Sequence, residues 1–333
     1  MPLPAILEGR LRLPLVAAPM FLASGPELVL ACCRAGIVVS FPAKNQRTPA
    51  GLDEWLQIIR DGVRRLAAET DTVPPPFAVN LIVHRGNETL REEMAMCVRH
   101  EVPLVITSLG AVPELVDSVH GYGGLVFHDV INLRHAQKAI DAGVDGLIAV
   151  AAGAGGHTGR ASPFALVNEI RQVFDGTLLL SGAMARGSDI AAAEMMGADL
   201  AYIGTRFIGT SECGAPDAYK EMIVGAALKD IVETDRVSGV NANFLAPSLA
   251  AAGLQPDGDA PAMDIDSELA ETSGEGGKAR AWRDIWSAGH GVGSINDLPT
   301  VESLVARMAS EYHAACAAHQ DRVAGLARGV SAG

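Results

Sequence analysis

The stretch that decides the fold is residues 177–204, which read TLLLSGAMARGSDIAAAEMMGADLAYIG. Its first five residues, Thr177–Ser181, form a short apolar run without alternation. Ser188–Met196 has helical periodicity and stops before Gly197, a residue type that commonly ends a helix. A second apolar run, Leu200–Gly204, completes the unit. This order of strand, helix and strand predicts two parallel strands that are buried on both faces.

The same unit recurs along the whole first part of the chain. Eight apolar runs alternate with helix-like segments, and eight is the strand count of a TIM (β/α)₈ barrel. An open doubly wound sheet usually has a glycine-rich first turn, whereas the first run here ends in Ala17-Ala18-Pro19-Met20, with no GxGxxG behind it. We therefore predict an α/β protein of the TIM-barrel class. The predicted strands are Leu15–Pro19, Gly36–Phe41, Phe77–Ile82, Leu104–Ser108, Gly124–His128, Gly146–Val150, Thr177–Ser181 and Leu200–Gly204.

The rhythm of strand and helix changes after about Cys213. Residues 216–232 have a helical pattern, and residues 241–277 are rich in Pro, Gly and Asp with little periodicity. We expect residues 1–213 to form the barrel and residues 214–299 to form a smaller second domain or lid over its mouth. A final helix within residues 300–333 is expected to return to the barrel wall.

Charge and cysteine content narrow the class of protein. The 333-residue chain has a formal net charge of −13 and no basic stripe, which argues against a nucleic-acid or anionic-membrane surface. Its five cysteines are scattered and form no CxxC, so neither a zinc site nor a disulfide framework is predicted. No uninterrupted apolar stretch of about 18 residues is present. We expect a soluble cytoplasmic protein, and the sequence leaves an oligomer open.

Two loops have the composition of a phosphate site. The loops after the seventh and eighth strands of a TIM barrel often bind phosphate, and here they begin Ser181-Gly182-Ala183 and Gly204-Thr205. Small residues allow backbone N–H groups to approach phosphate oxygens, and the two hydroxyls add donors. The alternative is that these glycines only shape tight turns. Arg186 and Arg206 follow in the same loops and could add positive charge.

The segment after the sixth strand is the strongest candidate for chemistry. Gly153–Gly159 holds four glycines in seven residues, and His157 lies among them. A histidine at a strand end can accept a proton, donate a hydrogen bond or offset an anion's charge. The alternative is a loop histidine that only anchors backbone. Met20 and Asn80 also end strands, where a thioether can pack on a ring and a carboxamide can bind a ring edge.

The other histidines give no metal-ligand spacing such as HxH or HExxH, so no metal site is predicted. A nucleophilic GxSxG motif is likewise missing from the sequence. His128 and Asp129 lie at the end of the fifth strand, in a position similar to that of Asn80.

Taken together, these segments resemble the nitronate monooxygenase family. The resemblance is carried in order by Ala17-Ala18-Pro19-Met20, Phe77-Ala78-Val79-Asn80-Leu81, Ala154-Gly155-Gly156-His157, Ser181-Gly182-Ala183, Gly204-Thr205-Arg206-Phe207 and the late turn Ala288-Gly289-His290-Gly291-Val292-Gly293.

The resemblance implies FMN bound non-covalently in the barrel, with its phosphate on the loops after strands seven and eight. It also implies oxidation of alkyl nitronates, and of nitroalkanes, with O₂ to a carbonyl compound and nitrite. His157 matches the family's catalytic base or substrate-orienting histidine. The residues matched to cofactor contacts are Pro19, Met20, Asn80, Gly155, Gly156, Ser181, Gly182, Ala183, Gly204 and Thr205.

Three positions depart from the family's pattern. Ala183 stands where a second glycine is usual, His290 stands where Gln is common, and Asp129 stands where some relatives have a Lys. A carboxylate at Asp129 would disfavour negative charge on a reduced flavin if it points inward.

Two other functions stay open at this point. One is an NAD(P)H-dependent FMN reductase of quinones or enoyl thioesters on the same scaffold. The other is a flavin-binding protein without catalysis.

Overall fold

Eight parallel strands close into a barrel in the computed structural model, which describes residues 3–254 and 283–331. Each strand pairs with the next, and the barrel closes where Leu15 of the first strand pairs with Ala201 of the last. The TIM-barrel prediction is confirmed. The barrel strands are β1 (Leu15–Ala17), β2 (Val38–Pro42), β3 (Phe77–Ile82), β4 (Leu104–Ser108), β5 (Leu125–Val130), β6 (Gly146–Val150), β8 (Thr177–Ser181) and β9 (Leu200–Ile203).

Four of the strands differ from their predicted bounds. β1 stops at Ala17 and β9 at Ile203, because the chain turns there into the loops at the barrel mouth. β2 begins two residues later, after Gly36 ends the preceding helix in a left-handed conformation. β5 continues to Val130, which places Asp129 inside a strand and not in the loop that follows.

The barrel strands are buried on both faces, as their unbroken apolar runs predict. Alternate side chains such as Ile106, Phe127 and Leu179 fill the barrel interior, and Leu7 from the N-terminal segment packs with them. The intervening side chains pack against the surrounding helices. The interior is therefore a solid core below the mouth, where polar residues replace the apolar ones.

Helices lie on the outside of the barrel. Pro stands in the first turn of four of them, where its missing N–H leaves no hydrogen bond unmade. The helices that follow the first seven barrel strands are α1 (Pro26–Ala35), α2 (Pro49–Thr70), α3 (Leu90–Arg99), α4 (Pro113–His120), α5 (Leu133–Asp141), α6 (Pro163–Arg171) and α7 (Gly187–Met195).

A second, antiparallel sheet stands at the barrel mouth. It consists of β7 (Gly156–His157), β10 (Ile231–Thr234) and β11 (Ala242–Leu245), in the order β10-β11-β7. The helical prediction for residues 216–232 was wrong in its second half, because helix α9 (Asp217–Gly225) ends early and β10 follows. The loop prediction for residues 241–277 was wrong where β11 and helix α10 (Ala246–Ala251) form, and residues 255–277 of that stretch lie outside the described residues. The short helix α8 (Thr205–Ile208) follows β9.

The last helix, α11 (Val301–Ser331), packs against α7 and α1. Its start is capped by Glu212, whose carboxylate accepts from the Val301 N–H at 3.0 Å. Farther along, Glu311 accepts from the Gly187 N–H at 2.8 Å. Among the described residues, none of the helices combines the length and apolar character that a membrane crossing requires.

Candidate active site

One cavity of about 260 Å³ opens at the carboxyl ends of the barrel strands. Two of the sequence-predicted residues, Gly182 and Ala183, are not among its lining residues. The other nine line it together: Pro19, Met20, Asn80, Gly155, Gly156, His157, Ser181, Gly204 and Thr205. These nine residues are far apart in the sequence, and the closure of the barrel brings them together.

His157 reaches the cavity because its backbone belongs to the small sheet. It pairs with Ala242 of β11, and its neighbour Gly156 pairs with Asn243. The Thr158 N–H donates to the Asn241 carbonyl at 3.0 Å. The position of the candidate catalytic residue is thus fixed by a strand some 85 residues later in the chain.

Asn243 is a site residue that the sequence did not reveal. Its side chain is fully buried and its Nδ2 donates to the Ala154 carbonyl at 2.8 Å, which anchors the turn before His157. A single Asn in a stretch without periodicity carries no signal of its own, so only the pairing of β11 with β7 exposes its role.

Burial sets the charge of His157. Its Nε2 is sealed from solvent, and desolvation lowers the pKa of the imidazole to about 4. At neutral pH the ring is therefore uncharged, with one nitrogen able to accept a proton. The cationic form that the sequence left open is disfavoured until an anion enters the cavity.

The loop before His157 packs backbone against backbone. A Cβ on Gly155 would lie 2.7 Å from the Gly289 nitrogen and 2.8 Å from the Thr205 Oγ1, closer than such atoms approach. Thr205 Oγ1 also accepts from the Gly289 N–H at 2.9 Å. Glycine is thus required at position 155 for the loops after β6 and β9 and the late glycine turn to meet.

The backbone conformation of the loop after β8 explains why the family usually has two glycines at positions 182 and 183. Gly182 has φ of +132° and Ala183 has φ of +58°, in the left-handed region where a side chain adds strain. The Ala183 N–H donates to the Gly153 carbonyl at 3.1 Å, so it supports the neighbouring loop. His290, the second departure, donates its N–H to the same carbonyl at 2.9 Å, and its ring lies against Gly153.

The opposite wall of the cavity is made of side chains. Asn80 donates from Nδ2 to the Ile106 carbonyl at 3.2 Å and to the Ser108 Oγ at 2.8 Å. A carbonyl can only accept, so Nδ2 must point toward it and Oδ1 is left as the acceptor. Ser108 in turn donates to Asp129 Oδ2 at 2.6 Å.

Asp129 and Tyr202 lie at the end of this polar wall, and both line the cavity. Asp129 Oδ1 and the Tyr202 hydroxyl are sealed from solvent and make no hydrogen bond within the described residues. Burial raises the pKa of Asp129 to about 6, although the hydrogen bond from Ser108 opposes the shift. Burial also raises the pKa of Tyr202 well above its usual value, and the nearby Asp129 carboxylate adds to that shift.

Arg186 and Arg206, the arginines of the two loops predicted to bind phosphate, are not among the lining residues of the cavity. Arg206 is 1% exposed and forms an ion pair with Asp297 at 2.7 Å. Arg307 of α11 binds the same carboxylate at 2.6 Å. Arg206 therefore links the loop after β9 to the C-terminal region, and Arg186 is exposed at the start of α7.

A model of the nitronate monooxygenase family matches residues 78–311, well over half of the chain. The chain belongs to the nitronate monooxygenase family. The match contains His157 and the loops after β6, β8 and β9, and membership makes the chain an oxidoreductase of a flavoprotein family.

Individual relatives agree with the family. A nitronate monooxygenase of Paraburkholderia phytofirmans is 26% identical over 353 aligned positions, covering 90% of this chain and 92% of the relative. A candidate monooxygenase of Mycobacterium tuberculosis, Rv1533, is 30% identical over 225 residues. That match covers 64% of this chain and only 60% of the relative, so the chain spans less than two thirds of its length.

A solved structure shares the fold of this nitronate monooxygenase family member. The nitroalkane oxidase of Streptomyces ansochromogenes has a TM-score of 0.76 and 24% sequence identity, over 94% of this chain and 99% of that one. At this identity the likeness establishes the common barrel and nothing about the substrate.

Proposed function

We propose that this protein is an FMN-dependent nitronate monooxygenase that oxidises alkyl nitronates and nitroalkanes with O₂ to a carbonyl compound and nitrite. The observation that carries the proposal is a neutral, enclosed His157 in the same cavity as eight residues that the family resemblance matches to cofactor contacts. Family membership supports the same reaction class.

The cavity fits a flavin in three respects. Pro19, Met20 and Ala18 give it an apolar wall suited to a ring face, and Asn80 Oδ1 offers an acceptor for a ring N–H. The buried Asp129 Oδ1 and Tyr202 hydroxyl require partners that the described protein atoms do not supply.

The phosphate of FMN would lie at the loops after β8 and β9. Ser181, Gly204 and Thr205 line the cavity there, with Gly182 beside them. In this proposal Ala183 supports the cradle through its hydrogen bond to Gly153 and does not touch the phosphate. When bound, FMN accepts electrons from the substrate and passes them to O₂.

His157 has two tasks in this proposal. With a neutral nitroalkane, the uncharged imidazole removes the α-proton, which is what a buried histidine with a lowered pKa is able to do at pH 7. With a nitronate, the incoming negative charge raises the pKa of His157, and the ring holds the nitro oxygens by a hydrogen bond.

We also propose that residues 214–299 form the smaller substrate domain over an FMN-binding barrel of residues 1–213. Tyr219 and Ser287 come from this segment and line the cavity. Tyr219 is stacked on Trp286, with ring centroids 5.0 Å apart, and its hydroxyl donates to the Ser287 carbonyl. A closed aromatic wall of this kind would keep water from the reacting atoms.

A second candidate function is an NAD(P)H-dependent flavin reductase. The observation that favours it is a pair of cations, Lys44 and Arg47, on the cavity lining of an otherwise acidic protein. Lys44 is ion-paired with Glu93 at 3.2 Å, and Arg47 lies over the Phe21 ring. Phosphate groups of a nicotinamide cofactor or of a thioester carrier would suit such a mouth.

One experiment separates these functions. The purified protein is expected to show flavin absorbance, and anaerobic addition of a nitronate is expected to bleach it rapidly, whereas NADH and NADPH act slowly. Rapid bleaching by NAD(P)H with no response to nitronate would favour the reductase. A colourless protein that takes up no added FMN would overturn both proposals, and a yellow protein that responds to neither would be a binding protein.

A further inference from the structure

The hydrogen bonds on the polar wall run toward Asp129. Ser108 has a single hydroxyl hydrogen, and it goes to Asp129 Oδ2 at 2.6 Å. Asn80 Nδ2 donates to the Ser108 oxygen, which leaves that hydrogen to point at the carboxylate. Because Oδ2 already accepts from Ser108, the oxygen open to a proton is Oδ1.

Oδ1 is the oxygen without a hydrogen bond inside the described protein, and Asp129 lines the cavity. An ionised carboxylate oxygen that is removed from water and left without a donor is costly. Two conditions relieve that cost: a donor on the bound ligand, or a proton on Oδ1. Asp129 is thus sensitive to the charge of whatever occupies the cavity.

We propose that Asp129 is the proton-balancing group of the flavin site and takes up a proton at Oδ1 each time the bound flavin is reduced. The inference rests on the proposed function. The substrate delivers two electrons to the flavin, one proton from solvent goes to the ring, and a second goes to Asp129. Two electrons and two protons enter, so the net charge of the cavity does not change.

The physical reason is like-charge repulsion in a low-dielectric cavity. Ionised Asp129 beside a reduced ring that kept its negative charge would place two negative charges together, away from water. Burial already raises the pKa of Asp129 to about 6, so the group is ionised at pH 7.5 before reduction, and reduction must raise its pKa above the pH of the measurement for the proton to stay on Oδ1.

The neighbouring groups do not take this proton. Burial keeps Tyr202 protonated, and it lowers the pKa of His157 to about 4, so His157 competes for this proton less well than Asp129. His128 faces away toward Thr107, whose Oγ1 lies 2.7 Å from its Nδ1. Burial lowers the pKa of His128 to about 4, so it is neutral as well. The charged or titratable groups that line the cavity or adjoin Asp129 are Tyr202, Tyr219, His157, Lys44, Arg47 and His128. Burial raises the pKa of Tyr219 as well, so it keeps its own proton.

The test is the pH dependence of the reduction potential of the FMN-loaded protein between about pH 7.5 and 9. Each proton taken up with a two-electron reduction contributes about 30 mV per pH unit. The wild type is expected to show a two-proton slope, about 60 mV per pH unit, and Asp129→Asn a one-proton slope, about 30 mV per pH unit. The potential of Asp129→Asn is also expected to be higher throughout this range.

Tyr202→Phe is the matched control, since it removes the other unbonded polar atom without changing charge, and it is expected to keep the two-proton slope. Asp129→Ser removes the same carboxyl and replaces Asp129→Asn if the amide variant loses FMN. A one-proton slope in the wild type, or an unchanged slope in the Asp129 variants, would overturn the proposal. A protein that binds FMN but does not oxidise nitronates overturns the proposed function alone, because the potential is measured without substrate.

Discussion

The two sides of the barrel mouth are built by different means. On the side of β6, β8 and β9, backbone meets backbone, and small residues such as Gly155 let three loops come together. On the side of β3, β4 and β5, the wall consists of side chains, Asn80, Ser108 and Asp129, joined by hydrogen bonds. The first side is suited to hold a ligand in place, and the second to respond to its charge.

The largest expected effect concerns His157, the functional side chain on the glycine side. His157→Asn is expected to lower kcat/KM for a neutral nitroalkane at least about 100-fold, the usual contribution of a general base, and for the nitronate less than about tenfold. FMN content should stay unchanged, since the loop backbone is kept. Steady-state rates with both substrates test this.

His290→Asn is the matched control for that variant. His290 lies against the same glycine loop but is not among the described lining residues of the cavity. The His290→Asn variant should therefore change the rates with the nitroalkane and with the nitronate by similar factors. If His157→Asn lowered kcat/KM equally and only slightly for the two substrates, a base role of His157 would be contradicted. The glycine side of the mouth would then serve in binding alone.

His128 and Asp129, which are neighbours in β5, are expected to have opposite effects on stability when the pH falls. The pKa of His128 is lowered from 6.5 to about 4, so the folded state resists its protonation, and stability is lost as the pH falls from 6.5 to 4. The loss is at most about 3 kcal/mol. The pKa of Asp129 is raised from 3.8 to about 6, so its cost is present above pH 6 and is relieved as the pH falls.

Denaturant unfolding at several pH values measures both effects. His128→Gln should flatten the loss of stability between pH 6.5 and 4, whereas Asp129→Asn should raise stability at pH 7.5 and steepen the loss toward acid. If both variants shifted the curve in the same direction, the charge response assigned to this side of the mouth would be wrong.

On the glycine side, the close packing at Gly155 can be tested by one methyl group. Gly155→Ala is expected to lower the free energy of unfolding by about 2 kcal/mol and to weaken FMN binding, because the Cβ meets backbone and not a flexible side chain. Gly225→Ala is the control, since its Cβ would have no neighbour within 4 Å. Similar behaviour of the two variants would show that the loops can separate.

The smallest expected effect is at Ala183. A left-handed residue with a side chain is strained, so Ala183→Gly is expected to stabilise the protein by up to about 1 kcal/mol, less the entropy that glycine adds to the unfolded chain. Thermal unfolding of the two proteins measures the difference. A destabilised Ala183→Gly would indicate that the methyl group makes a compensating contact.

The two sides also differ in how far the sequence predicted them. Eight apolar runs and the clustered glycines predicted the barrel, and nine of the predicted residues line the cavity. Ser108 and Asn243 left no pattern in the sequence, because each acts through hydrogen bonds to distant parts of the chain. The sheet of β7, β10 and β11 was missed because strands of two to four residues are too short for a periodic signal.

The pairing of β7 with β11 has a consequence for how such enzymes diverge and can be redesigned. Residues 231–245 hold His157 by main-chain bonds, so their register is fixed. Exposed side chains such as Asp235 are free to vary, whereas the buried Asn243 is held by its hydrogen bond to Ala154. A shift by one residue would turn His157 out of the cavity. The hairpin of β10 and β11 could therefore be exchanged between relatives, with its length kept. Such an exchange would change how a substrate reaches His157 without altering the barrel.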